Sequence, residues 1–217
     1  MMTRKRRDSR RRGFTLIEIL AVLLILSILF TFLVRSMGGG QRAIELEGAR
    51  SVLIQVEGLV EEYHDEFEAY PPSTFPSDFD SKPSSTNMGI ECLVVHLYRQ
   101  GQRWQAREIG EDVLGNTDGD ATKSSLTSYT SPDAFEFVDP WGNPIAYIHR
   151  RDYGKPFTYI TLDEAGDEFE SRVESLTSTK TGDPYRRTSF QLISAGPDGE
   201  FGTRDDIANF EVEDADS

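Results

Sequence analysis

Apolar and polar positions fall into distinct rhythms along the chain. Phe14–Val34 is a continuous apolar run of 21 residues, broken by one charge, Glu18. A helix of that length crosses about 30 Å of hydrocarbon. Gly38-Gly39-Gly40 follows, and each glycine costs a helix about 1 kcal/mol relative to alanine. This triplet predicts a weakened or bent helix, or a plain juxtamembrane linker. From Gln41 the apolar positions Leu46, Ala49, Leu53, Val56, Val60, Tyr63, Phe67 and Tyr70 recur at alternating steps of 3 and 4. That is one stripe on one helical face, with Glu45, Glu47, Arg50, Glu57, Glu61, Glu62 and Asp65 on the others. Pro71-Pro72 ends the pattern, because proline lacks the amide donor and turns its predecessor away from helix.

The rhythm changes again beyond the prolines. Residues 71–87, rich in Pro, Ser and Asp, predict a loop. Ile90, Leu93, Val94, Leu97 and Tyr98 predict a shorter amphipathic helix over roughly 88–100. Residues 101–132 are mixed and polar. Aromatic and β-branched runs at Phe135–Val138, Ile145–His149 and Phe157–Thr161, with a further run at Ser189–Ser194, predict strands. Asp139–Pro144 reads as the turn between the first two, and the charged stretch 163–187 as a hairpin tip or insertion. The pattern predicts an α+β protein: a long N-terminal helix, membrane-spanning in its first half, packed on a small antiparallel sheet. The predicted segments are a leader, 1–13, a membrane helix, 14–34, an amphipathic extension, 35–70, and a globular head, 71–217.

Charge sharpens this picture. Residues 1–12 carry seven basic side chains and one acid, so the net charge of −14 hides a basic end of +6 and an acidic remainder of −20. The basic end predicts a single-pass protein with a cytoplasmic N-terminus and a translocated head. The acidic remainder repels phosphates, which sets nucleic-acid binding aside. Cys92 is the single cysteine. It excludes an intramolecular disulfide and reads as a buried core thiol.

Three features bear candidate chemistry. Glu18 is expensive inside an apolar run, at about 2.5–3.5 kcal/mol near mid-membrane and less near an end, so a functional partner is expected. A cut between Gly13 and Phe14 would supply one, by freeing an α-amine four residues before Glu18. Asn116, Asp118 and Asp120 around Gly119 invite a calcium-loop reading. Leu114 stands where an EF-hand has its first acid and no glutamate closes the loop, so they are taken as a surface loop. In Ser194–Ile207 a glycine-rich turn gathers Asp198, Asp205 and Asp206. Such carboxylates repel one another unless a hard cation neutralises them, so the residues alone allow either a calcium site or a metal-free acidic turn. His64, His96 and His149 have no partners at metal-ligand spacing, and no nucleophile elbow or phosphate loop is present. An enzyme is not expected.

Arg11-Arg12-Gly13-Phe14-Thr15-Leu16-Ile17-Glu18 resembles the processing site of type IV pilins and type II secretion pseudopilins. The resemblance implies a prepilin peptidase that cuts after Gly13 and methylates Phe14. It also implies that Glu18 pairs with a neighbouring subunit's N-terminus during assembly. Asp139–Pro144 and the Ser194–Ile207 loop are similar to segments of the major pseudopilin family of type II secretion. By that likeness Asp198, Asp205 and Asp206 are ligands of a structural Ca²⁺ that fastens the loop to the sheet. The function implied is a structural subunit of a pseudopilus, anchored in the inner membrane with a periplasmic head. Its implied partners are other pseudopilins, the prepilin peptidase, the inner-membrane assembly platform and membrane lipid, with no nucleic acid. Residues 78–134 and 163–187 exceed the family's usual connections. The nearest alternative is a type IV pilus subunit for adhesion, motility or DNA uptake. The alternative from another class is a monomeric membrane-anchored enzyme or binding domain, which predicts no cut at Gly13.

Overall fold

The computed structural model describes residues 15–77, 79 and 83–213, the side chains of 32–39 and 111 excepted. Helix α1 runs Leu16–Phe67 and stays α-helical through Gly38-Gly39-Gly40, so no linker interrupts it. Its N-terminus is closed locally. The Thr15 amide and hydroxyl both donate to Glu18 Oε2, at 2.8 and 2.9 Å, and the Glu18 amide faces Thr15 Oγ1 at 3.4 Å. This is the reciprocal Thr-x-x-Glu cap that satisfies helix-end donors otherwise left without partners. Among the described residues no helix is long and apolar enough to cross a membrane. The predicted span begins on Phe14, outside those residues, and runs into the stretch whose side chains are not described.

The chain divides into a unit ending at Ile44 and a second, Glu45–Ser217. The second unit includes the C-terminal half of α1, which supplies core. Ala49, Leu53, Val56 and Val60 of the predicted stripe are buried, and Val52 and Leu59 widen it. Each large aliphatic buried this way contributes about 1.5–3 kcal/mol. The helix stops at Phe67, three residues before the predicted end. Glu68 turns to φ +54° and its amide caps the His64 carbonyl at 2.8 Å. Phe67 stays exposed at the rim, against Tyr63 and Trp104, while Tyr70, past the helix, stacks on His64 and meets Phe190. Arg186, itself at positive φ, pairs with Glu57 of α1 and lies over the Phe190 ring.

Helix α2, Met88–Tyr98, is buried on every face rather than one. Seven short strands follow: β1 Leu114–Gly115, β2 Glu136–Phe137, β3 Ala146–His149, β4 Phe157–Leu162, β5 Glu168–Val173, β6 Phe190–Ser194 and β7 Ile207–Ala208. The α+β expectation holds, with the antiparallel strands divided among three small sheets, β1-β2, β3-β6-β7 and β4-β5. β3 pairs with β6 from Ala146↔Ile193 to His149↔Phe190, and β7 adds at the far edge through Ser194↔Ile207. β5 lies in the stretch expected to be a hairpin tip or insertion. Cys92 is a free thiol, fully buried beside Phe75 and Val95, as expected of a core cysteine.

Gly89 sets how closely α2 lies on the strands. A Cβ there would stand 2.4 Å from the Tyr147 carbonyl and 2.6 Å from the Tyr159 hydroxyl. That hydroxyl accepts the Tyr147 amide at 3.2 Å, so displacement would also orphan a buried donor. Gly89→Ala is therefore expected to cost about 3 kcal/mol, at the upper end of ordinary overpacking. Urea unfolding of the detergent-solubilised chain measures this; an unchanged midpoint would refute the close-packing argument.

Candidate functional site

Two places carry the predicted chemistry. Gly13 and Phe14, the processing pair, lie outside the described residues. Glu18 is described and exposed. Both bonds from Thr15 fall on Oε2, and Oε1 receives neither. One oxygen thus caps the helix. Around it Leu16, Ile17, Leu20, Leu23, Leu24 and Phe30 are all more than half exposed in the single chain. A contiguous apolar surface of this kind needs lipid or protein to cover it.

The C-terminal loop is built on the turn Asp139–Pro144. Asp139 is buried, and its Oδ1 accepts the Trp141 and Asn143 amides, both at 3.0 Å. Its Oδ2 accepts the Ser194 hydroxyl at 2.6 Å, where β6 ends and the loop begins. Asn143 continues the link, accepting the Leu162 amide of β4 at 2.7 Å and donating to the Gly196 carbonyl at 3.4 Å. The same turn meets α1, where the Trp141 indole donates to Glu45 at 3.2 Å. Burial pushes the Asp139 carboxyl up to about 6, although its hydrogen bonds oppose the shift.

The loop then doubles back. Gly199 sits at φ +70°, and a Cβ there would come within 2.1 Å of the Leu162 carbonyl, so only glycine lets it pass β4. The Phe201 amide donates to Ser171 Oγ of β5 at 3.1 Å, and its ring packs on Tyr159. Each predicted ligand is tied to the loop. Asp198 Oδ1 accepts the Glu200 amide at 2.9 Å, Asp205 Oδ1 accepts the Thr203 hydroxyl at 2.5 Å, and Asp206 Oδ2 accepts the Gly202 amide at 2.8 Å. Asp206 Oδ1 is buried with no donor. Burial, with the charges of Asp205 and Asp198 adding to it, raises the Asp206 carboxyl to about 7. The orphaned Asp206 Oδ1 is the kind of oxygen a hard cation takes, so the donor chemistry suits the calcium that the resemblance implies, although the three aspartates do not bring their ligand atoms within 4.8 Å of one another.

The three are not, however, the tightest acid group. Among the described residues, three acids bring ligand atoms within 4.8 Å of one another only at Glu91, Asp118 and Asp120. Reading the chain as a sequence placed two of these in a surface loop and passed over Glu91. The available signal was a lone acid in the otherwise apolar helix Met88–Tyr98.

The Prokaryotic N-terminal methylation motif matches residues 8–34. The type II secretion system core protein G of Escherichia coli (strain K12) is 23% identical over 205 residues, covering 94% of each chain. The protein of the same name from Aeromonas hydrophila is 24% identical over 205 residues, covering 94% of this chain and 96% of its own. The crystal structure of the major pseudopilin from the type 2 secretion system of enterohaemorrhagic Escherichia coli aligns with 82% of this chain and 93% of its own, at 14% identity and a TM-score of 0.35. The resemblance drawn from residues 11–18 is borne out by the motif match at the N-terminus and by similarity along nearly the whole chain.

Replacing Asp139 tests the turn that carries the loop. Asp139→Ala leaves two amides and a hydroxyl without their acceptor and is expected to cost about 3 kcal/mol. Because its folded-state value lies above the ordinary 3.8, the carboxyl stabilises the fold fully below pH about 4 and loses that contribution as pH rises through about 6. The stability of the wild type minus that of Asp139→Asn should therefore fall across this window in urea melts. Parallel pH profiles would overturn the assignment.

Proposed function

We propose that this chain is a structural subunit of the type II secretion pseudopilus, processed after Gly13, methylated at Phe14 and polymerised with its own kind to drive export of folded proteins. The observation that carries the reading is the methylation motif over 8–34 in a chain similar to core protein G over 94% of its length. The motif and the basic leader favour an inner-membrane anchor with the head in the periplasm. The prepilin peptidase and the inner-membrane assembly platform are the partners this reading requires.

The exposed apolar face of α1 supports assembly through the helix. In a bilayer, lipid covers that face as well as a neighbour does, so packing rather than hydrophobicity decides association. Where the fibre leaves the bilayer, burial of the same face between subunits contributes about 25 cal/mol per Å² removed from water. Glu18 then sets register. Its Oε2 holds the cap, and its Oε1, which receives neither bond from Thr15, would meet a neighbour's N-terminal amine. In the head, Asp198, Asp205 and Asp206 would hold a Ca²⁺, which supplies the positive charge that lets three acids share one loop. The chain's own contribution is to present the Asp206 Oδ1 atom without a competing donor and to anchor the loop through Ser194 and Phe201.

Glu18→Gln separates the two roles of that residue, because glutamine still serves in a capping box but carries no charge. Processing is expected to stay intact, with the mature chain starting at methylated Phe14 by intact mass, while cross-linked polymer falls as far as in Glu18→Ala. Polymer yield at the wild-type level in Glu18→Gln would reduce the residue to a helix cap. A chain that retains Met1 would overturn the assembly reading itself.

Calcium is checked by thermal melting of the detergent-solubilised protein with and without chelator. Asp206→Asn should lower the melting temperature in calcium and remove the part of the chelator response that comes from the C-terminal loop. An unchanged chelator response in Asp206→Asn would exclude these ligands.

A further inference from the structure

Glu91 lies on α2, in the core, with no exposed surface, and neither of its carboxylate oxygens has a hydrogen-bond partner. Its neighbours are acids. One oxygen each of Glu91, Asp118 and Asp120 lie within 4.8 Å of one another. Two further oxygens of the loop, Asp120 Oδ1 and Asn116 Oδ1, are also buried without a donor. Among the described residues no lysine or arginine forms an ion pair with any of the three acids.

The loop is built to hold these oxygens in place. The Asn116 side-chain amide donates to the Asp120 carbonyl at 2.7 Å, which leaves its oxygen free to act as an acceptor. The Asp120 amide donates to Asp118 Oδ1 at 3.2 Å. Ser84, on the segment before α2, gives its amide to Asp120 Oδ2 at 2.8 Å and its hydroxyl to Asp118 Oδ2 at 3.4 Å. Glu136 of β2 stands behind them, fully buried, accepting the Thr117 amide at 2.9 Å and the Asn87 side-chain amide at 2.9 Å. These contacts occupy both oxygens of Asp118 and Oδ2 of Asp120, and leave Asp120 Oδ1 and Asn116 Oδ1 without a donor.

An uncompensated buried carboxylate is among the most costly groups a fold can carry. Burial and the neighbouring charges of Asp120, Glu136 and Asp118 push the Glu91 carboxyl up to about 10. Two things relieve such a site: a proton shared between Glu91 and Asp120, or a cation. A proton bridges one pair of oxygens and leaves Asn116 Oδ1 and Asp118 as they were. Ligands around calcium stand at about 2.3–2.6 Å, so any two of them lie within about 5 Å of each other. That is the span of this cluster. Calcium also takes six to eight oxygens in loose geometry, whereas magnesium demands a tight octahedron and keeps its water.

We propose that Glu91, Asp118 and Asp120, with Asn116 Oδ1 as a further ligand, form a second calcium site, separate from the C-terminal loop. The alternating residues 116, 118 and 120 fail as an EF-hand because the closing glutamate is absent downstream. The structure supplies that acid from upstream, on α2. A calcium ion here ties the core helix to the 116–120 loop and, through Ser84, to the chain entering α2. It fixes the long connection 78–134 to the head.

The test counts calcium on the whole detergent-solubilised protein, stripped with chelator and titrated calorimetrically with calcium chloride at neutral pH. Glu91→Gln keeps the shape of the side chain and removes the charge that the site depends on. It should weaken one calcium equivalent by on the order of a hundredfold or more, beyond what loss of an outer-shell partner costs. Asp118→Asn with Asp120→Asn should remove the same equivalent, and Asp206→Asn should leave it in place. Subtraction makes the result independent of the C-terminal loop: wild type exceeds Glu91→Gln by one whether that loop binds calcium or not. Equal stoichiometry and affinity in wild type, Glu91→Gln and the double variant would overturn the proposal and mark the cluster as neutralised by protons. A Glu91→Gln protein that melts higher than wild type in chelator, but gains less from calcium than wild type does, is the thermal counterpart of the expected result.

Discussion

The head depends on one buried carboxylate. Asp139 closes its own turn through two backbone amides and holds Ser194 at the point where β6 leaves the sheet. Asn143, on the same turn, joins the Gly196 carbonyl to the Leu162 amide. The indole beside it reaches Glu45 of α1. Six residues thus bring together the long helix, a strand of the β4-β5 sheet and the C-terminal loop. A charged acceptor is suited to this, since hydrogen bonds to an ionised group are shorter and stronger than neutral ones. The cost is burial, which is why the carboxyl rises to about 6 in spite of its donors.

That cost recurs through the head. Glu136 is raised to about 8 and Asp206 to about 7, each first by burial. Glu136 is fully supplied with donors, from Asn87 and Thr117, and needs nothing more. Asp206 and Glu91 differ, because each has a buried oxygen with no donor at all. The distinction separates acids that organise the backbone from acids whose buried oxygens have no donor. A strongly acidic composition does not make it, since most carboxylates of this chain are solvated and need no partner.

Much of this was legible in the sequence. The 3-4 spacing from Leu46 placed Ala49, Leu53, Val56 and Val60 on the buried face, because a helix that packs one face must repeat in that way. The aromatic and β-branched runs found β3, β4 and β6 to within a residue. What was hidden follows from physics that local pattern does not carry. β5, Glu-Phe-Glu-Ser-Arg-Val, buries only Ser171 and Val173 and earns its place through backbone pairing with β4. Its composition resembles a loop. The early end of α1 comes from Glu68 adopting positive φ ahead of Tyr70-Pro71. The acid opposite Asp118 and Asp120 lies on an apolar helix far upstream, and no local motif could join the two. Likewise the aspartates of the C-terminal loop were visible as a cluster, but their footing on Asp139 was not.

The missing disulfide gives these contacts their weight. Cys92 is buried in the core, so no covalent bridge holds the last loop. A cross-link works mainly by restricting the unfolded chain. Hydrogen bonds and cations act instead on the folded state, and each is worth only what remains after desolvation. The loop is therefore held at several points: Ser194 to Asp139, Phe201 to Ser171 and Tyr159, and β7 to β6. None of these alone equals a bridge, and each is reversible. Cations at the remaining undonated oxygens would complete the same scheme, because binding to the folded state alone adds stability in proportion to the logarithm of free calcium. A head braced in this way takes its rigidity from the ionic composition of the compartment it folds in, where a disulfide-stapled head would take it from the redox state.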